Sequence, residues 1–560
     1  MVYDFNLGSR SHRISTESPE AQEWFDRGLT WLYGFNHDEA VSCFKKAAAF
    51  DPGCAMAYWG IALAAGPNYN FAWKDWPRAM LAAMLPEARQ NLARARACMG
   101  GATELEQALI AALEHRYQSS EPPDDQAVLQ QWSVDYAGAM RDVHARFGGD
   151  ADVVALFADA MLNLTPWKLW DMRTGAPGDG AHTLECQRVL ETAIDAIHAA
   201  GGEPHPGIWH YYVHLMEMSP VPERALRVSD ELRGAAPDAG HLIHMATHIY
   251  MLCGDYESVV EWNRAASRAD MKYWRYAGAM NSYSGYRAHN YHFQIYGAMF
   301  VGQLQPALAA AEGLRGTTPD SVLRAMPGGM QEMLEPFLSM KTHALVRFGR
   351  WHDLIDEPVP ANTELYAVST VMNYYGKAVA HANLKDFDAA RSALRSFDEA
   401  AARVDPRRYM HTNRLVDIFA VAREVILGET NYHEGRYDDA FAHLHRAVEL
   451  DDALAYDEPR GWMMPTRHAL GALLLEQEHV EEAAAVYEAD LGLNETVIRA
   501  ARHPGNVWAL LGLHECYTRL GREAEAAVIK PALDTALGRA DADVQSSCFC
   551  AMPLGEHCCD

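Results

Sequence analysis

Along most of the chain, apolar residues recur every three or four positions, as on one face of a helix. No run alternates apolar and polar residues between hairpin-turn signals as a strand would, and no βαβ alternation is present. From Ala21 the pattern is sharper than amphipathicity alone. Trp24, Gly28, Ala40, Phe44, Ala47 and Pro52 stand at places 4, 8, 20, 24, 27 and 32 counted from that residue. Small residues at places 8 and 20 let two helices approach closely. The aromatic at 24 fills the space between them, and the proline ends the second helix. The spacing predicts a helix pair.

The register returns along the chain. Pro206 starts a unit with Ala225 at place 20 and Pro237 at 32, and Gly240 starts the next with Ala266 at 27. Ala288 starts a third with Ala307 at place 20; Gly428, Tyr437 and Ala440, then Gly471, Ala483 and Tyr487, then Gly512 and Ala524 mark later ones. This recurrence resembles the tetratricopeptide repeat family closely. The resemblance implies an all-α fold, a right-handed superhelical solenoid of helix pairs whose first helices line a concave groove. Segments 53–150 and 305–420 keep helical periodicity with irregular spacing, while Gly66–Asn70 and Thr165–Trp167 break helices and are expected to form loops at the groove mouth. The expected divisions are an N-terminal segment 1–20, repeats 21–200, central histidine-bearing repeats 201–310, degenerate repeats 311–420, C-terminal repeats 421–540 and a cysteine-rich tail 541–560.

Candidate chemistry lies in the central repeats. His210 and His214, then His241, His244 and His248, then His289 and His292 occupy places 2, 5 or 9 of three successive units. In tetratricopeptide repeats these places usually face the groove. Spacings of three, four and seven keep each set on one helix stripe. Seven of the 26 histidines fall within this 83-residue window, and clustering imidazoles without a shared ligand leaves many polar atoms to satisfy. The set therefore points to a transition metal, with copper most favoured and zinc or iron open, since imidazole suits these ions better than magnesium or calcium. Glu217, at place 12 after His214, is the candidate general base. Tyr296, at the place where the previous repeat has His248, is a second candidate catalytic residue. Single histidines in such grooves more often make hydrogen bonds, so a polar or substrate-binding groove is the competing reading.

Cysteine adds to the picture only at the C-terminus. Cys43, Cys54, Cys98, Cys186, Cys253 and Cys516 are scattered and read as core residues, which fits a reducing cytoplasm. Cys548, Cys550, Cys558 and Cys559 crowd the last thirteen residues. Cys548 and Cys550 form a C-x-C pair able to hold a soft metal or to close a disulfide; incidental cysteines on a flexible tail are the bland alternative.

Charge narrows the partners. Lys and Arg total 48 against 75 Asp and Glu, a formal net charge of −27, which disfavours nucleic acid and anionic membrane surfaces. No signal peptide or membrane-spanning run is apparent. The block Gly34-Phe35-Asn36-His37-Asp38-Glu39-Ala40, with His244-Met245-Ala246-Thr247-His248, His289-Asn290-Tyr291-His292 and Ser547-Cys548-Phe549-Cys550, resembles a group of long tetratricopeptide-repeat proteins; that resemblance implies no particular activity. The expectation is a metal-binding protein whose histidine-lined groove takes a small molecule or peptide, as an oxidoreductase if the metal is copper or iron. A noncatalytic scaffold for a peptide or protein partner, and metal storage or delivery, are the alternatives.

Overall fold

The computed structural model describes residues 3–326 and 329–551. It is all-α, and successive helices pack against one another in pairs. The chain forms two compact units, Met1–Ile249 with Arg268–Tyr283 and Tyr250–Ser267 with Ser284–Asp560. Among the described residues no helix is long and apolar enough to cross a membrane.

The first pair in the first unit is Pro19–Tyr33 and His37–Phe50. Ser18 caps the first helix by accepting from the Ala21 amide, and Pro19 occupies a place whose missing N–H costs nothing. Asn36 caps the second helix. Between the two, Phe35 takes a left-handed backbone, φ +56°. Phe44 is fully buried and lies between two glycines: a Cβ on Gly28 or on Gly60 of the next helix, Ala55–Ala64, would fall 2.6 Å from its ring. The spacing read from sequence accounts for the Gly28 half of this contact; Gly60, on the following helix, is not part of that pattern.

The second unit repeats the device. Tyr487, on Val480–Leu491, is wedged between Gly471 on Thr466–Glu476 and Gly512 on Val507–Arg519. Further pairs are Ala367–Asn383 with Phe387–Ala401 and Leu415–His433 with Tyr437–Ala453. One departure from the expected strand-free chain is a two-residue antiparallel ribbon, Tyr409–Met410 with Asn413–Arg414. Its tight turn puts His411 at φ +49°, with Asp457 accepting from its ring; such a short pairing leaves no period-two signal.

One buried carboxylate sets the central helix of the first unit, Pro206–Glu217. Asp152 accepts from Tyr33 Oη at 2.8 Å, His12 Nδ1 at 2.8 Å, His205 Nε2 at 3.0 Å and Arg10. His205 caps the helix, its Nδ1 accepting from the Gly207 and Ile208 amides. It must therefore stay neutral, and burial holds its pKa low; it serves Asp152 as a donor, while Arg10 and His12 bring the charge. Burial alone would raise the Asp152 carboxyl, but these partners hold it well below the usual range.

Two outcomes follow from this packing. Gly28→Ala should destabilise the protein by roughly 1–3 kcal/mol in denaturant unfolding, with partial recovery in a Gly28→Ala/Phe44→Leu double variant; additive losses would mean that the two residues do not share this contact. Asp152 binds its proton more weakly folded than unfolded, so its contribution is complete above a pH of about 4 and is lost as pH falls through the folded value. Asp152→Asn should cost about 3–5 kcal/mol at neutral pH and flatten the acid limb of the stability–pH curve. An unchanged acid limb would assign that slope to other carboxylates.

Candidate metal centre

Helical periodicity puts His210 and His214 one turn apart on Pro206–Glu217, and His241, His244 and His248 on one stripe of Gly240–Cys253. In the first unit these two stripes face each other. Ring centroids are 4.7 Å apart for His210 and His214, 5.0 Å for His210 and His241, and 4.6 Å for His244 and His248. One ring nitrogen from each of His210, His214 and His241 falls within 4.8 Å of the other two.

The hydrogen bonds decide which nitrogens face inward. His210 Nδ1 lies 2.6 Å from the carbonyl oxygen of Tyr33. A carbonyl only accepts, so Nδ1 carries the proton and Nε2 the lone pair. That carbonyl is free for the bond because Tyr33 ends its helix, where the last four C=O groups have no intrahelical partner. His214 Nδ1 lies 2.9 Å from Glu217 Oε1, one helical turn on, which gives it the same tautomer. The Nε2 atoms of His210 and His214 are buried with no hydrogen-bond partner among the described residues. His248 has its Nδ1 3.3 Å from Glu217 Oε2, and its Nε2 is 2.7 Å from His244 Nε2.

Burial sets the charge state. It lowers the pKa of His210, His241 and His248 well below the usual imidazole range, with neighbouring imidazoles adding to the effect, and takes His214 down to about 3. Neutral imidazole is the form that binds metal.

The expected open groove is not what surrounds these rings. His210, His214 and His244 are 0% exposed, His241 1% and His248 2%. Phe35 stacks on His214 and His241 with centroids at 5.8 and 5.3 Å, and contacts His210 at 4.4 Å. Tyr69 covers His214 at 4.6 Å and accepts through its hydroxyl from the Trp167 amide. The two helix-breaking loops thus form a cover rather than a mouth. Phe35 and Trp167 both hold left-handed backbones, φ +56° and +63°, a cost that non-glycine residues bear only where their surroundings impose it. His37 packs beside the Asn68 amide at 3.5 Å, outside the cluster. An open groove of about 940 Å³, lined by Lys45, Tyr58, Glu87 and Arg94 among others, contains none of these histidines.

The remaining candidates lie in the second unit. His289 and His292 share the helix Ser284–Val301 with centroids 6.5 Å apart, and His411, which sequence reasoning missed, stands 5.5 Å from His289. His292 Nε2 meets Met463 Sδ at 3.0 Å, and burial, then His411 and His343, lower its pKa. Tyr296 packs edge-on between Phe293 and Phe300, and burial raises its phenol pKa further above the ordinary tyrosine value. Glu217 lies between two imidazoles, its Oε1 2.9 Å from His214 Nδ1 and its Oε2 3.3 Å from His248 Nδ1. Cys548 and Cys550 are joined as a disulfide, so in this state neither is a thiolate ligand, and the segment that the bland alternative made a flexible tail is packed through residue 551. Of the six scattered cysteines, Cys43, Cys54, Cys186 and Cys516 are buried, as expected of core residues, while Cys98 and Cys253 are half-buried; Cys558 and Cys559 lie outside the described residues.

The metal-free protein provides a direct check on the tautomers. Nitrogen-15 NMR of histidine-labelled protein should show His210 and His214 neutral and protonated at Nδ1, still so at about pH 5, where an ordinary imidazole of pKa ~6.5 is charged. Signals for Nε2–H tautomers would remove the inward lone pairs.

No protein-family model matches this chain, and no curated protein matches it. Solved structures similar to it include the APC/C hetero-tetramer Cut9–Hcn1, at 12% identity over 86% of this chain and 74% of that one with a TM-score of 0.29. Naa15/Naa10 bound to HypK-THB aligns at 12% identity over 92% and 70%, TM-score 0.21, and yeast Tom70 at 11% over 93% of each, TM-score 0.25. Likenesses this loose carry nothing about function.

Proposed function

We propose that the first unit binds a transition metal through His210, His214 and His241, with His244 and His248 beside them and Glu217 holding His214 and His248 in place. The observation that carries this reading is the pair of inward Nε2 lone pairs on His210 and His214, each fixed by a partner on the opposite ring nitrogen. A metal-bound histidine typically donates its other N–H to a backbone carbonyl or a carboxylate; both variants occur here, one on each histidine.

Three neutral imidazoles favour copper, zinc or iron over hard cations, and among divalent ions copper stands highest in affinity for nitrogen donors. A peptide held in a groove needs side chains that meet solvent, and these do not. The closed, aromatic-walled site suits an ion kept from water, with any substrate limited to a small molecule passing the Tyr69 and Trp167 cover.

Protein purified without an affinity tag should carry about one transition-metal ion per chain by elemental analysis. A His210→Ala/His214→Ala variant should lose it, and adding metal should raise the unfolding temperature of the apo wild type but not of the variant. Full retention of metal by that variant, or an apo protein that binds none of copper, zinc or iron, would sink the reading.

A further inference from the structure

The second unit contains a separate reactive group. Its C-terminal segment is pinned at Ser547, whose hydroxyl donates to the His468 carbonyl at 3.0 Å and meets the Tyr487 hydroxyl, while Arg347 donates to the Ser547 carbonyl. Two residues on, the Phe549 ring covers Gly349 and lies 6.0 Å from Trp508. These anchors hold the Cys548–Cys550 disulfide inside the unit, with Cys548 6% and Cys550 1% exposed.

As a structural staple this bond has little to do. It links residues two apart in sequence, and a loop so short removes little freedom from the unfolded chain. Its surroundings suit reaction instead. A carboxylate oxygen of Glu429 lies within 4.8 Å of both sulfurs. Glu429 is 1% exposed, and its Oε2 accepts from Asn383 Nδ2 at 2.7 Å. Burial pushes its carboxyl up to about 7, with Asn383 and Arg347 pulling the other way, so near neutrality it exists in both protonation states. The Cys550 amide donates to Cys548 Sγ at 3.1 Å, a contact that would favour a thiolate on Cys548.

We propose that Cys548 and Cys550 form a redox-active dithiol–disulfide couple that exchanges electrons with an external thiol, and that Glu429 is its proton donor and acceptor. In the reducing direction an incoming thiolate attacks Sγ of Cys548, the less buried of the two residues. The Cys548–Cys550 bond breaks, a mixed disulfide forms on Cys548, and Cys550 leaves as a thiolate that takes the proton of the Glu429 carboxyl. A second external thiolate attacks the external sulfur of the mixed disulfide and releases Cys548. Two external thiols become one disulfide, two electrons pass to the cysteine pair, and water returns the Glu429 proton. The oxidising direction reverses each step, with the Cys548 thiolate as nucleophile. This couple is independent of the histidine site.

The test uses the full chain in dithiothreitol redox buffers with chelator present. A pulse of excess N-ethylmaleimide on the folded protein, followed by acid quenching and mass spectrometry, then reads the peptide carrying Cys548 and Cys550. The pair should interconvert reversibly while the buried free thiols of Cys43, Cys186 and Cys516 stay unlabelled, which reports an intact fold. Glu429→Gln should slow exchange at neutral pH by tenfold or more, and Glu429→Asp, which keeps a carboxyl, should restore part of the rate. Reduction only under conditions that also label the core cysteines would make the bond a structural element and overturn the proposal. So would a folded Glu429→Gln protein exchanging at the wild-type rate. The wild-type measurement stands by itself if both variants fail to fold.

Discussion

An imidazole taken out of water must find a partner for one donor and one acceptor, and the first unit buries five of them within two helices. A helix cannot meet that demand from its own backbone, because its interior amides and carbonyls are already paired. The partners come from a helix end and from a carboxylate. The Pro19–Tyr33 helix stops at a left-handed Phe35, which leaves the Tyr33 carbonyl to accept from His210; Glu217 does the same for His214. With the Nδ1 protons committed, the lone pairs left over on the two Nε2 atoms point into a space that holds no donor for them among the described residues.

Reaching that arrangement depends on how the helix bearing His210 and His214 is seated. Its N-terminus is tied through His205 to Asp152, and Asp152 is tied to Tyr33, the residue whose carbonyl meets His210. A buried carboxylate with four donors is costly to break, though not necessarily stabilising against an apolar substitute. What it supplies is position. The glycine–aromatic–glycine contacts at Phe44 and Tyr487 act at another level: they set how closely successive helices approach in each unit and carry no chemistry.

Closure changes what the cluster can do. Histidines along an open groove would titrate near neutrality and meet large ligands. Under Phe35, Tyr69 and Trp167 the same side chains stay neutral, and a site walled by aromatic rings strengthens electrostatic interactions within it.

The helix pairs, their all-α class and the stripes joining His210 to His214 and His241 to His248 were legible in the sequence, because spacing along one helix determines which side chains share its face. The seating of Phe44 was legible for the same reason, as a local repeat of small and large residues. Tertiary structure alone decided the rest. His210 meets a carbonyl 177 residues away, Glu429 meets cysteines more than a hundred residues on, and His411 joins His289 through a turn that no periodicity announces. Whether the histidines lined a groove or lay sealed beneath two loops was likewise beyond the sequence. Burial is a property of what packs on top of a helix face, and the covering residues belong to segments that carry no helical pattern of their own.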